Sequence, residues 1–352
     1  MKNWLNRLLG REPEPSPAEA MEDASPPATL DTATTMLARS ASDIDGLFHP
    51  WLLGIDAGAG LRPNDTEVRL ARALQRIAGG SEQSVSDLVP RMPAVIPTLL
   101  QSLRDKDVSN ARLSQQIVQD PVLLAAVLRQ VNTSYYRRRA AITSIEQALA
   151  LLGQNGLRLL VASVAFKPVL GQQSGHFTRS AAPRLVELSS HTALACRCLA
   201  ARRGADAFEV FLAGLLQNVG MMVALRAMDQ IHDGRETLQS GKFCAVFADN
   251  ARRLAVRVGR EWAFPAPVVE AAGQTGLPSA SAASPVTSPS TPSLAPAVRQ
   301  ADLLGKTRTL AHSGGIGMDE AECLAAEAGA DCLACWQELA ERDADAAGMK
   351  LS

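Results

Sequence analysis

The sequence predicts an all-α protein, and three observations carry that prediction. Of its 352 residues 47% are hydrophobic but only 4% are aromatic. Its apolar content is therefore mostly Ala and Leu, which favour helix over sheet. Apolar residues then recur at three- and four-residue spacing, as in Val95, Ile96, Leu99, Leu100 and Leu103. Helix-start signals precede the apolar runs. Asp120-Pro121 pairs a capping carboxylate with proline at the first helical position, and Thr143 with Glu146 forms a capping box.

Each segment can be justified in chain order. Residues 1–43 form an N-terminal segment whose stretch 11–43, rich in Pro, Glu, Ser, Ala and Thr, is expected to be disordered. Ahead of it, Trp4, Leu5, Leu8 and Leu9 make one short apolar face among Lys2, Arg7 and Arg11. So short a helix frays when alone, and a docking peptide or membrane-surface anchor is the second reading. Residues 44–87 form a helical extension that includes Leu47–Leu53 and a stretch around 65–78, capped by Asn64 or Asp65. From 88 the sequence is helical almost throughout. Leu123, Leu124, Val127, Leu128 and Val131 share one face. Gly153 and Gly156 punctuate a helix–turn–helix connection ahead of the apolar run 157–165. After a polar break at 171–180 helices are expected at 185–201, 208–216 (ending near Gly220), 242–258, 265–273, 297–311 and 318–342. The five prolines of 278–296 mark an extended insertion.

Composition excludes some functions. Thirty-five Lys and Arg against 36 Asp and Glu give a net charge of -1, which argues against bulk electrostatic binding to nucleic acid or anionic lipid. The six cysteines lie in helical sequence and read as free thiols of a reducing cytoplasm. Every apolar run is soon broken by Arg, Gln, Gly or Pro, so no membrane-spanning segment is expected. The N-terminus does not have the form of a secretory signal.

Several blocks then converge. They are Val89-Pro90-Arg91-Met92-Pro93, Gln119-Asp120-Pro121-Val122-Leu123, Val131-Asn132-Thr133-Ser134-Tyr135-Tyr136, Ile142–Ala148, Leu151-Leu152-Gly153 and Phe211–Leu216. In that order and spacing they resemble an HDOD domain, a bacterial relative of the HD phosphohydrolases, over about 88–310. The resemblance implies a two-lobed helical domain, with a first lobe at about 88–172 and a second HD-like lobe at about 176–310; the residues 311–352 beyond it read as a helical C-terminal extension. The resemblance also implies a non-catalytic regulatory role in bacterial signalling, exerted through protein–protein contacts.

The HD metal pattern carries over residue by residue. Leu215-Leu216-Gln217-Asn218-Val219-Gly220 is similar to the family's Leu-Leu-His-Asp-Ile-Gly. Gln217 and Asn218 stand where a histidine and an aspartate hold a divalent ion. His191 matches the first histidine and Asp302 the final aspartate. The paired histidines of some relatives are replaced near Gln274-Thr275, while Trp262-Ala263-Phe264-Pro265 follows the family's Trp-Gly-Leu-Pro-like turn. Two carboxamides offer only uncharged carbonyl oxygens, too weak to replace an imidazole and a carboxylate. The four positions are therefore expected to form a buried hydrogen-bonded cluster, with a residual ligand cleft as the second reading. No cofactor, no metal and no catalytic residue is assigned.

The remaining signals are weaker. Tyr135, Tyr136, Arg137, Arg138 and Arg139 form a loop that could meet phosphates or an acidic protein partner, though nothing wider on the chain supports nucleic-acid binding. Cys332-Leu-Ala-Cys335 is a solitary CxxC inside an Ala-rich helix and reads as packing thiols. Gly314-Gly315-Ile316-Gly317 reads as a turn. The expectation is thus a cytoplasmic, non-enzymatic signalling module with a protein partner. A phosphohydrolase with a rebuilt metal site, or a nucleotide or metabolite sensor using the cleft, are the alternatives.

Overall fold

The computed structural model describes residues 44–55, 62–80, 88–104, 109–133, 141–203, 206–232, 236–274 and 294–348. Among the described residues there are thirteen helices and no strand. They are α1 Ile44–Leu53, α2 Asp65–Ala78, α3 Ile96–Arg104, α4 Ser109–Gln119, α5 Pro121–Val131, α6 Ile145–Leu170, α7 His176–Arg203, α8 Ala207–Ile231, α9 Gly241–Glu261, α10 Ala266–Gln274, α11 Ala295–His312, α12 Met318–Glu327 and α13 Ala330–Gly348. The N-terminal segment 1–43, with its short apolar start and expected disorder, the Tyr135–Arg139 loop and all but the last three residues of the Pro-rich insertion 278–296 lie outside the described residues.

Helix α8 is the axis of the second lobe. Helices α7, α9, α10 and α11 pack around it, and α2 and α6 reach it as well. Helices α3, α4 and α5 pack on one another and on α6, which joins the two lobes. Side chains of Phe208, Phe211, Leu212, Leu215, Leu216, Val219, Met222 and Leu225 are fully buried along α8. An apolar helix hydrophobic on all sides belongs at the centre of a bundle. Helices α6 and α8 are by length and composition apolar enough to cross a bilayer. That departs from the expectation of no such segment, because Gln217, Asn218 and Gly220 interrupt the apolar pattern without breaking the helix. Nearly all of α8 is buried inside the protein.

Caps set where the helices begin. Asp206 accepts from the amides of Phe208 and Glu209 at 2.8 and 3.3 Å, starting α8. Asp120 does the same for α5 through Val122 and Leu123. At α6 the expected Thr143–Glu146 box is displaced by one residue. Ser144 is the cap and accepts from the Gln147 amide, while the Gln147 side chain accepts from the Thr143 amide at 2.8 Å. Both pairs have the right spacing, so sequence alone does not choose between them. Asn64 and Glu67 make a full capping box on α2, and the other Glu67 oxygen accepts from the amides of Gln239 and Ser240 at 2.7 and 2.8 Å. Glu67 thereby bolts the N-terminal extension to the start of α9.

Three glycines bear on the expected boundaries, and two of them correct these. Gly153 takes φ 69° and bends α6, as a turn glycine would. Gly220 ends nothing: α8 runs on to Ile231. A Cβ there would lie 2.3 Å from the Ala251 carbonyl oxygen of α9, so this glycine permits close helix approach. Gly329, with φ 118°, separates α12 from α13, where one helix was expected. Ala263, in the Trp262–Pro265 turn, is the described non-glycine residue with positive φ, at 52°.

Two substitutions should therefore act in opposite directions. Gly220→Ala is expected to destabilise the protein by about 1–3 kcal/mol through overpacking. Ala263→Gly relieves a left-handed cost of about 1–2 kcal/mol, partly offset by unfolded-chain entropy, and should raise stability slightly. Urea unfolding midpoints of both variants check the signs.

Candidate functional site

Gln217 and Asp302 meet where α1, α8, α9 and α11 come together. Asp45 and His49 of α1, Gln217 and Met221 of α8, Ala251 and Arg252 of α9, and Asp302 and Lys306 of α11 line a small cavity there. Its volume is about 20 Å³, room for one water. With α1 in place, a nucleotide or metabolite is not accommodated.

The feature at its centre is a cation. The Lys306 ammonium lies 2.6 Å from Asp302 Oδ2 and 2.6 Å from Asp45 Oδ1. It also sits 5.6 Å from the centroid of the fully buried Phe48 ring. Asp302 and Lys306 are four residues apart on α11 and so share a helix face. Asp45 arrives from 261 residues earlier. Burial alone would lower the Lys306 amine, but the two carboxylates outweigh it and hold the amine charged, well above its usual range. Burial and the neighbouring Asp45 raise the Asp302 carboxyl, against the pull of Lys306. Burial also works to raise Asp45, yet Lys306 and His49 hold it well below the ordinary carboxylate range. With Arg252 at the rim, two cations face two carboxylates.

Helix α1 is fixed over this cluster from outside. The Arg184 guanidinium of α7 donates to the carbonyls of Trp51 and Leu52 at the end of α1, the latter at 3.0 Å, and lies 4.8 Å over the Trp51 ring. His49 is buried, its Nδ1 2.8 Å from the Asp45 carbonyl oxygen. Burial pushes this imidazole down to about 4, so the ring is neutral near pH 7 and Nδ1 donates.

The four positions read from the sequence do not form one cluster. Gln217 and Asp302 share the cavity. Gln217 donates its amide to the Ala272 carbonyl at 3.1 Å, across to α10. Asn218 is buried, and its Nδ2 finds no acceptor among the described residues. His191 turns elsewhere: its Nδ1 bonds the Thr309 hydroxyl at 2.9 Å, and it lines a different cavity with Arg308 and His312. The expected hydrogen-bonded quartet is replaced by the Asp302–Lys306–Asp45 bridge. The Asp302-x-x-x-Lys306 spacing was visible in the sequence, but nothing local pointed to Asp45 or His49.

A divalent cation does not fit this donor set. It would have to displace an ammonium already held by both carboxylates, with His191 directed away and a carboxamide in place of an imidazole. Among the described residues no three His, Cys, Asp or Glu side chains are placed to hold a metal ion. The CxxC thiols, Cys332 and Cys335, are both buried in α13, which packs on α7.

Fold and site together define a class: an all-helical protein with a lysine held between two carboxylates in the core of its second lobe. The HDOD domain model matches residues 89–276, more than half of the chain, and the chain belongs to that family. No curated protein matches it significantly. Among solved structures it is similar to a "putative metal-dependent phosphohydrolase" from Shewanella amazonensis SB2B, with 16% identity and a TM-score of 0.53, covering 79% of this chain and 99% of that one. A "putative phosphohydrolase" from the same organism gives 21% identity and a TM-score of 0.51 over 78% and 95% of the two chains. An HDOD domain protein from Geobacter sulfurreducens gives 21% identity and a TM-score of 0.49 over 68% and 78%. The two Shewanella likenesses concern the fold alone.

Two outcomes follow from the buried bridge. Lys306→Met leaves two carboxylates facing each other and is expected to cost about 3–5 kcal/mol, whereas adding Asp302→Asn to it should recover most of that loss. Chemical denaturation of the single and double variants measures the difference. Acidification should also weaken the fold. The His49 ring binds a proton near 6.5 when unfolded but only near 4 when folded. Its contribution is therefore complete above about pH 6.5 and lost as pH falls toward 4, on the order of 3 kcal/mol. His191, pushed down to about 3 by burial and then by Arg308 and His312, adds to the same slope. His49→Asn, which keeps a donor for the Asp45 carbonyl, should make stability measurably less pH-dependent in this window.

Proposed function

We propose that this chain is a non-catalytic regulatory module that acts through contacts with a protein partner. The observation that carries the reading is the Lys306 ammonium between Asp302 and Asp45. Metal-assisted hydrolysis needs a polarising ion with an open coordination position and a bound water. A lysine amine has neither, and the cover of α1 leaves a space the size of one water. The contact surface proposed for the partner is an open groove on the first lobe, about 580 Å³, walled by Val89, Met92 and Pro93 on one side and Pro168 and Val169 of α6 on the other, with Arg226 of α8 in its lining.

A phosphohydrolase with a rebuilt site is the competing reading. It would require Lys306 to leave the cavity and Asp45, His49 and Asp302 to rearrange into a ligand set that they do not form as placed. The test is elemental analysis of protein grown with Mn, Fe, Zn and Mg, paired with a phosphodiester hydrolysis assay. Substoichiometric metal and no turnover are expected. Stoichiometric metal that disappears in Asp302→Ala, together with hydrolysis, would establish the competing reading. Val89→Glu should abolish recovery of the principal protein captured from cells by the intact chain, and unchanged recovery would remove the groove from the proposal.

A further inference from the structure

A second cavity, separate from the one around Lys306, lies at the junction of the lobes. Its volume is about 180 Å³. Helices α5 and α6 contribute Gln130 and Ser163, α7 contributes Ser190 and His191, and α11 contributes Arg308 and His312. A carboxylate of the C-terminal helix enters it: Asp343 of α13 accepts through Oδ2 from Arg308 Nη2, and the same oxygen is 3.3 Å from His312 Nε2. The His191 and His312 rings stand 5.0 Å apart. The Thr309 hydroxyl donates to the Gly305 carbonyl at 2.7 Å, so toward His191 it accepts, and Nδ1 carries the ring proton.

The donors outnumber what Asp343 can use. Arg308 is 2% exposed, yet its Nε has no partner among the described residues. One oxygen of the tethered carboxylate serves both Arg308 and His312, and the Ser163 hydroxyl stands in the same wall, whereas the Ser190 hydroxyl already donates to the Val186 carbonyl at 3.1 Å. A buried donor left unmade favours any ligand that satisfies it. A phosphate group brings three or four acceptor oxygens and suits the planar guanidinium fork, whereas a carboxylate brings two. Lys167 stands one residue back, its ammonium 2.5 Å from Gln130 Oε1. The space is larger than a phosphate group needs but below the roughly 300–1,000 Å³ of ordinary cofactor pockets. That points to a small molecule and away from a nucleotide.

We propose that this cavity binds inorganic phosphate or a small phosphomonoester, with Asp343 as its built-in competitor. Binding would release α13 from α11 at that point and tie α5 and α6 of one lobe to α7 and α11 of the other. The site is distinct from the Lys306 cluster and does not depend on whether that cluster is catalytic.

Calorimetric titration of the full chain tests this, using inorganic phosphate and glycerol phosphate, with acetate as the carboxylate control. Asp343→Ala is expected to tighten phosphate binding by about tenfold over wild type. Arg308→Gln added to Asp343→Ala should abolish it. If circular dichroism shows that this double variant is unfolded, His312→Gln with Asp343→Ala takes its place and should weaken binding severalfold. Hydrogen exchange in α13 should rise when phosphate is added to wild type. Tighter binding of glycerol phosphate than of phosphate would mark an organic ligand, and the reverse would mark the free ion. Phosphate affinity equal in wild type and Asp343→Ala, indifference to both Arg308 and His312, or acetate binding as tightly as phosphate would each overturn the proposal.

Discussion

An ammonium held between two carboxylates organises the second lobe. Lys306 neutralises Asp302 in a place where burial would otherwise force that carboxyl to take up a proton. Its second partner, Asp45, belongs to a helix far away in sequence, so charge balance requires α1 to be seated. Seating α1 in turn buries Phe48 and Leu52 against the bundle and closes the cavity to the size of one water. A buried ion pair is weak evidence for stability. Its importance here is positional: it specifies which helix covers the lobe and what fills the space beneath that helix.

Much of the architecture was legible because local rules decided it. Asp120 and Asn64 cap helices where their side chains say they should, and the 3.6-residue pattern located most segments. The misses fall where packing overrides local preference. Gly220 resembles a helix stop, yet it is required by the approach of the Ala251 carbonyl from a neighbouring helix, a contact no local pattern reveals. Ser144 and Thr143 each have a partner at capping distance, so choosing between them needs the backbone. Ala263 holds a left-handed conformation that its side chain does not advertise. The expected Gly in that family turn was the available hint.

The candidate site was legible in part. The replacement of imidazole and carboxylate by Gln217 and Asn218 is plain in the sequence. What takes over is not, because it joins an i,i+4 pair on α11 to a residue on α1. His191 shows the limit of carrying a role by position. It stands at the family's ligand position, but the Thr309 hydroxyl captures its ring nitrogen, and it faces Arg308 and His312 instead. A helix face is easily read from spacing, whereas the direction of one side chain depends on which hydrogen bond is available.

Placing half of the electrostatic balance on α1 has a consequence for what counts as the domain. The stretch that carries the family signature, 89–276, contains Gln217 and Asn218 but omits Asp45 on one side and Asp302 and Lys306 on the other. A fragment trimmed to those limits would keep the mark of shared ancestry and lose every charged member of the Lys306 bridge. Without α1 and α11, apolar faces of α7, α8 and α9 would be left to water. Heredity is thus recorded in one portion of this chain, while autonomy as a folded body is shared with the portions on either side.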